Sequence, residues 1–334
     1  MGGSCCCGLQ HAFCSSKKAH KARPHVGVIG DFIVDLQMTI PELPKWDAGV
    51  ETKGVELLPG GSAANVARQL AGLMDSVTFF GARGDDLLGK AAIGQMQAQG
   101  FDTSQMRLVN RPSSVCTVMS GPTDRTFITC YSTVEALSTS QLDQEVLKSC
   151  SHIHIGGYYG LRGLHDSTFI DLLQECKRGG AAISLGLQHD AEELWLGTDS
   201  HILKLLPLLT FFVGNEREVN SVETAIGKPL HQLVHNLIVV TTCGEAGARV
   251  RTREGDELWI PTVPSQVNLT EADGSGYIDA VGAGDAFVAG FLWHFVTTGD
   301  VGEAARWGHA VARHNMHQRG ACRVPVGRAA AQHS

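Results

Sequence analysis

The sequence predicts an α/β fold with a mostly parallel central sheet, helices on both faces and a small β lid. Three observations lead there. From His25 onward, short β-branched and aromatic runs alternate with segments of helical spacing. Such alternation joins parallel strands through crossover helices and buries both faces of the sheet. Two stretches, about 36–58 and 105–135, interrupt the pattern with β segments and no helix between them, as a small accessory sheet would require.

The elements follow in order. VGVIG (26–30) is a buried-strand run ending in glycine, SAANVARQLAGLM (62–74) has helical spacing, and SVTFFG (76–81) returns to strand. GKAAIGQMQAQG (89–100) reads as helix, and TVMSG and RTFITCYS read as strands of the accessory sheet. HIHIGG (152–157), AAISLGL (181–187), TFFVGN (210–215) and LIVVTTCG (237–244) are further strands. DSTFIDLLQECKRGG, DSHILKLLP and PLHQLVHN are the helices between them, and two long helical patterns, 282–299 and 301–320, close the chain.

Composition narrows the class. The 334 residues suffice for two domains or one large α/β domain, and 43% hydrophobic with 18% charged residues is ordinary globular usage. Lys and Arg number 27 against 34 Asp and Glu, a net charge of -7, which excludes a general basic field for nucleic acid. No run approaches the length of apolar sequence that a membrane-spanning helix needs. Cys116, Cys130, Cys150, Cys176, Cys243 and Cys322 are scattered rather than framed for disulfides, which points to reduced thiols and a cytoplasmic setting.

Residues 1–25 stand apart as a tail, basic at Lys17, Lys18, Lys21 and Arg23 and without apolar periodicity. Gly2 behind the initiator Met, followed by Cys5, Cys6 and Cys7, suits dual acylation and membrane association, although Cys6 stands where the acylation pattern wants Ser or Thr. An organelle-targeting peptide, a Cys/His metal site that adds His11 and Cys14, and a disordered extension are the alternatives.

The strongest chemical signal is IDAVGAGDAFVAGF (278–291), a glycine-rich turn running into a helix start. Gly282 and Gly284 admit a ligand to the backbone, and with Ala283 they offer first-turn amides and the helix dipole to a phosphate without any lysine. Asp285 in the same turn is electrostatically costly beside a phosphate unless it accepts a proton from an attacking hydroxyl; the plain alternative is a helix-capping Asp.

PGGSAANVA (59–67) places Gly60 and Gly61 before a helix and Asn65 where it can both donate to and accept from vicinal hydroxyls, or sit as one polar residue on a helix face. VIGDFIVDL (28–36) puts Asp31 and Asp35 at the C-terminal end of a strand, where open α/β sheets place ligands, with turn capping as the alternative. In GNEREV, Asn215 and Glu218 share a helix face and suit a water-coordinated Mg²⁺, or form a solvated helix start.

Other patterns fail on detail. Gly84 to Ala91 resembles a P-loop, but Ala91 lacks the hydroxyl and Asp85 and Asp86 repel phosphate. Gly60 to Ala64 falls short of a nucleophile elbow because Ala64 replaces the final glycine. His152 and His154 share a strand face but lack a third ligand, so a structural role is expected.

In this order the segments resemble the ribokinase (PfkB) family of carbohydrate and nucleoside kinases, from about Val26 to Pro325. GGSAANVA is similar to the family's GG-x-x-x-N signature and DAVGAGDAFVAG to its D-T-x-G-A-G-D-x-F-x-x-G signature. The resemblance implies one kinase domain over 26–328 with the two β interruptions as its lid. It implies Asp285 as catalytic base, the amides of Gly282, Ala283 and Gly284 as anion hole, and Asp35, Gly60, Gly61 and Asn65 around a sugar. It further implies ATP near Asn215, Thr242, Gly244, Gly247 and His309, Mg²⁺ near Glu218, and K⁺ near Asp279, Val281 and Gly320.

Ile33, Ser62 and the segment 131–138 depart from the ribokinase pattern, which has Asn, Lys and a G-A-N at the corresponding places. They do so near the sugar, so the resemblance implies a sugar or sugar-like acceptor without naming ribose. Ala280 replaces a Thr, a change that leaves the backbone turn intact.

The expected activity is ATP-dependent phosphorylation of a hydroxymethyl-type alcohol on a carbohydrate. A nucleoside kinase, with Tyr158 and Tyr159 stacking a base or merely packing, and a catalytically silent sugar or nucleotide sensor are the rivals. The oligomer, monomer or homodimer, is open.

Overall fold

The computed structural model describes residues 23–121, 125–234, 236–251, 256–262 and 281–316. The tail with Gly2, Cys5, Cys6 and Cys7 lies outside the described residues, as do Asp279, Gly320 and Cys322.

The strands are β1 (Val26–Gly30), β2 (Ile33–Thr39), β3 (Val55–Gly60), β4 (Val77–Arg83), β5 (Met106–Leu108), β6 (Val115–Ser120), β7 (Arg125–Cys130), β8 (His152–Gly156), β9 (Ala182–Gly186), β10 (Phe211–Asn215), β11 (Ile238–Thr242), β12 (Ala248–Arg251) and β13 (Glu257–Ile260). The longer helices are α1 (Ser62–Leu73), α2 (Leu87–Ala98), α3 (Ser167–Arg178), α4 (Glu216–Ile226), α5 (Ala283–Thr298) and α6 (Val301–Met316).

Nine strands form the main sheet in the order β13-β12-β11-β10-β9-β8-β1-β4-β5. From β11 to β5 all neighbours are parallel, and β12 and β13 close one edge antiparallel. The parallel strands are buried along nearly their whole length, which is why VGVIG, HIHIG and FFVGN read as continuous apolar runs rather than alternating ones. The chain leaves β1 toward β4 and β5 and later returns on the other side through β8, so strand order reverses between β1 and β8. Ligands of open α/β sheets bind in the crevice beyond the strand ends at such a switch point.

One layer packs α1, α5 and α6 on the sheet: Phe211 of β10 meets Phe291 and Phe295 of α5 edge-on, with centroids 5.2 and 4.4 Å away. The opposite layer buries α3 and the segments flanking it.

The second sheet has the order β3-β2-β6-β7, with β2 and β6 parallel and the other pairs antiparallel. It draws on both stretches that interrupt the α/β alternation. The second of them begins with β5, however, and β5 extends the main sheet by pairing with β4.

Several expectations change. Asp31 does end β1, but Asp35 lies inside β2, because only Asp31 and Phe32 separate the two strands. PLHQLVHN and DSHILKLLP form only short helices, Leu230–Leu233 and His201–Leu205. The P-loop lookalike is explained by Asp86, whose carboxylate caps α2 by accepting from the Gly89 amide at 2.9 Å. Tyr158 and Tyr159 are 1% and 8% exposed and pack against each other, so neither ring presents a face for a base.

His152 and His154 are buried and share Ser184 between them, at 2.8 and 2.9 Å, and burial lowers their pKa values to about 4 and about 3. They are neutral core histidines. Cys116, Cys130, Cys150, Cys176 and Cys243 are free thiols. No described helix is long and apolar enough to cross a membrane.

Candidate active site

The site is organised by Asp31 at the switch point. It is fully buried, and its two carboxylate oxygens accept from the Ser62 and Ala63 amides at 3.0 and 2.8 Å. It thereby caps α1 across the loop, the role that Gly61 at the N-cap position has no side chain to perform. Gly61 has φ 95°, and a Cβ there would stand 2.6 Å from the Asp31 carbonyl oxygen, so glycine is required. Burial pushes the Asp31 pKa up, against the two amide bonds.

Capped in this way, α1 carries Ser62 and Asn65 to the start of α5. Ser62 Oγ donates to Asp285 Oδ1 at 2.6 Å, and Asn65 Nδ2 donates to Asp285 Oδ2 at 2.9 Å. Asn65 is buried and its Oδ1 has no partner among the described residues. Gly282 caps α5 in the left-handed region (φ 72°), and its carbonyl accepts from Ala286 N at 2.9 Å. Gly282 holds the left-handed position of the turn, whereas a Cβ at Gly284 would meet nothing within 4 Å among the described residues. Burial raises the Asp285 pKa to about 7; the Ser62 and Asn65 bonds oppose the rise, and the Asp31 and Glu218 charges add to it.

Asp35 projects from β2 into the same space. Gly60 of β3 pairs with Ile33 in register, and a Cβ on it would collide with the Asp35 carboxylate. Burial, then the charges of Asp31 and Asp285, raise the Asp35 pKa to about 7, with Arg68 opposing. Arg68 donates to the Pro59 carbonyl and to Gln99. Three carboxylates therefore share a low-dielectric cleft with few donors, a concentration of perturbed groups that marks functional sites more often than structural ones.

Asn215 and Glu218 form a reciprocal capping box at the start of α4: Asn215 Oδ1 accepts from Glu218 N at 2.9 Å, and Glu218 Oε2 accepts from Asn215 N at 3.0 Å. One Glu218 oxygen thus holds the cap, and burial raises its pKa. Thr242 stands beside Asn215 in register. Gly244 and Gly247 form the turn into β12, where a Cβ at Gly247 would strike the Ile260 carbonyl of the edge strand. His309 packs edge-on against Phe287, with centroids 5.1 Å apart, between α5 and α6.

The fold thus brings Asp35, Gly60, Gly61, Asn65, Gly282, Ala283, Gly284 and Asp285 together. Asn215 and Thr242 gather at the neighbouring strand ends with Glu218, whose charge acts on Asp285, while His309 sits in the helix interface.

Sequence reasoning missed a buried brace. Gln69 Nε2 donates to Asn315 Oδ1 at 2.8 Å, and Asn315 Nδ2 donates to the Val281 carbonyl at 3.0 Å, tying α1, α6 and the turn before α5 together. Both side chains are 1% exposed. Gln69 and Asn315 lie 246 residues apart, and no local pattern signals such a pair.

The chain is a phosphotransferase acting on an alcohol acceptor, of the class of sugar and nucleoside kinases, as the family model it matches and its relatives show. The model of the pfkB family of carbohydrate kinases matches residues 23–326, and the chain belongs to that family. It is similar to the ATP-dependent ribose-1-phosphate kinase of Halopiger xanaduensis, 24% identical over 89% of this chain and 93% of that one. It is also similar to the adenosine kinase of Schizophyllum commune, 25% identical over 82% of this chain and 84% of that one. Among solved structures, the ribokinase of Giardia lamblia superposes with a TM-score of 0.76 at 17% identity, over 93% of this chain and 98% of the other.

Proposed function

We propose that the protein transfers the γ-phosphate of ATP to a hydroxyl of a carbohydrate, with Asp285 as the base. The observation that carries this reading is the placement of Asp285 at the mouth of an α-helix, fixed by Ser62 and Asn65 and facing Asp35 across a buried cleft. The name of the ATP-dependent ribose-1-phosphate kinase supports both the nucleotide and the sugar.

Asp35 and the unpartnered Asn65 Oδ1 accept from hydroxyls of the acceptor, which orients one further hydroxyl toward Asp285. The oxygen of that hydroxyl forms the new bond to the γ-phosphorus and its proton passes to Asp285. The bond to the bridging oxygen breaks, and the electron pair leaves on ADP. The amides of Gly282, Ala283 and Gly284 at the positive end of α5 stabilise charge on the transferring group. Asn215, Thr242, Gly244 and Gly247 line the nucleotide side, and the second sheet covers the acceptor and excludes water.

Among the described residues, no group of three or more His, Cys, Asp or Glu side chains could cage a metal ion. Glu218, with one oxygen outside its cap, suits Mg²⁺ carried chiefly by water and ATP phosphates. When bound, Mg²⁺ neutralises charge on those phosphates. K⁺ near Asp279, Val281 and Gly320 is part of the proposal only as the resemblance to ribokinases implies it.

The test is ADP release from MgATP across pentoses, hexoses and nucleosides, with and without K⁺. A sugar as the best acceptor supports the reading. A nucleoside as the best acceptor, which the similarity to adenosine kinase favours, replaces the sugar and leaves the chemistry unchanged. ATP binding with transfer to no acceptor would leave a silent sensor.

A pH dependence follows. Asp285 and Asp35 both rise to about 7, so protons are held below neutrality and the base is lost as pH falls through 7. The acid limb of the kcat/KM profile is expected near pH 7, and a rate flat down to pH 5 would contradict it.

A further inference from the structure

We propose that Ser62 is a positioning residue for phosphoryl transfer, its hydroxyl holding the Asp285 carboxylate in the ionised form and orientation that accept the alcohol proton. The inference rests on the reading of Asp285 as the base.

The two oxygens of Asp285 each have one side-chain donor. Asn65 serves Oδ2 and belongs to the glycine-asparagine signature; Ser62 serves Oδ1 and stands where that signature leaves the residue free. The Ser62 contact is the shorter of the two, at 2.6 Å, within the range of a hydroxyl bonded to a carboxylate. It is also fixed from behind. The Ser62 amide donates to Asp31, so one residue spans two buried carboxylates and its main chain is held at the start of α1.

The surroundings make this donor consequential. The charges of Asp31 at the end of β1 and Glu218 on α4 act on Asp285, and the charge of Asp285 acts on Asp35 of β2. On α1 the cation is Arg68, which acts on Asp35, and on α6 His309 packs against Phe287. The charges acting on Asp285 are negative, so ionisation is opposed by burial and by repulsion together, and the two side-chain donors favour it.

The experiment compares wild type, Ser62→Ala, Ser62→Thr and Asp285→Asn. Turnover is followed by ADP release from MgATP with whichever of D-ribose, 2-deoxy-D-ribose, D-fructose and adenosine reacts fastest. Ser62→Ala is expected to move the acid limb of kcat upward by about one pH unit and to lower kcat at pH 7 about fivefold, with acceptor KM changed less than about threefold. Ser62→Thr keeps the donor and restores the limb. A limb unmoved in Ser62→Ala overturns the proposal. If Asp285→Asn turns over at the wild-type rate, the base itself is misassigned; an inactive Asp285→Asn beside an unmoved Ser62→Ala limb removes Ser62 alone.

A second readout needs no acceptor. Because the bond favours the ionised carboxylate, the loss in thermal midpoint caused by Ser62→Ala should grow between pH 5 and pH 9, and should be flat with pH when introduced into Asp285→Asn. A loss flat in both backgrounds overturns the proposal. Should Ser62→Ala fail to fold, Ser62→Cys, a weak donor of nearly the same shape, is read by the same two measurements.

Discussion

Asp285→Asn is expected to lower kcat by about a thousandfold or more while ATP and acceptor bind within a few-fold of wild type. The substitution keeps the shape at the start of α5 and removes the proton acceptor. Stopped turnover with retained binding, read by calorimetry beside ADP release, is therefore the diagnostic pair. Stability supplies the control. A carboxylate whose folded pKa stands at about 7 favours the fold most at low pH, and that contribution is lost as pH rises through 7. The difference in thermal midpoint between wild type and Asp285→Asn should accordingly shift in favour of the variant from pH 5 to pH 8. Turnover at the wild-type rate would show that Asp285 only ties α5 to α1 through Ser62 and Asn65.

Asp35→Ala should act on the other half of the reaction, raising acceptor KM about a hundredfold through loss of hydrogen bonds to a charged group at about 1.5–3 kcal/mol each. ATP binding should be unaffected, because Asp35 projects from the second sheet rather than from the strand ends beside Asn215 and Thr242. The same sign argument applies to the fold: its carboxylate also titrates at about 7, so any loss of thermal midpoint in Asp35→Ala should be smaller at pH 8 than at pH 5. An unchanged acceptor KM would remove Asp35 from the acceptor site.

The parallel strands were legible because burial on both faces leaves short, uninterrupted apolar runs, and VGVIG and TFFVGN coincide closely with β1 and β10. The glycine turn before α5 was legible for a related reason, since Gly282 occupies a backbone region that most residues avoid. Position within the sheets was not. Asp31 and Asp35 looked alike as acidic residues near one strand end, yet one caps a helix 31 residues away and the other belongs to a second sheet whose pairing with β3 and β6 is long-range. Ser62 read as a departure from a family pattern, and only the approach of α5 gives its hydroxyl a partner 223 residues distant. Short amphipathic stretches such as PLHQLVHN were over-read because tertiary packing, not helical spacing, sets how much of a four-residue helix survives.

The turn at 282–284 has a consequence for how this protein can vary. A phosphate site made of main-chain amides, as proposed for this turn, stores its geometry in torsion angles, among them the positive φ of Gly282. Ala283 and Gly284 would contribute amides under any side chain but that of proline, and a Cβ at Gly284 meets nothing within 4 Å among the described residues. Sequence drift at those two positions leaves the donors where they are, whereas drift at Gly282 would turn them away while altering no functional group. Inheritance of the site therefore depends on a residue defined by what it lacks.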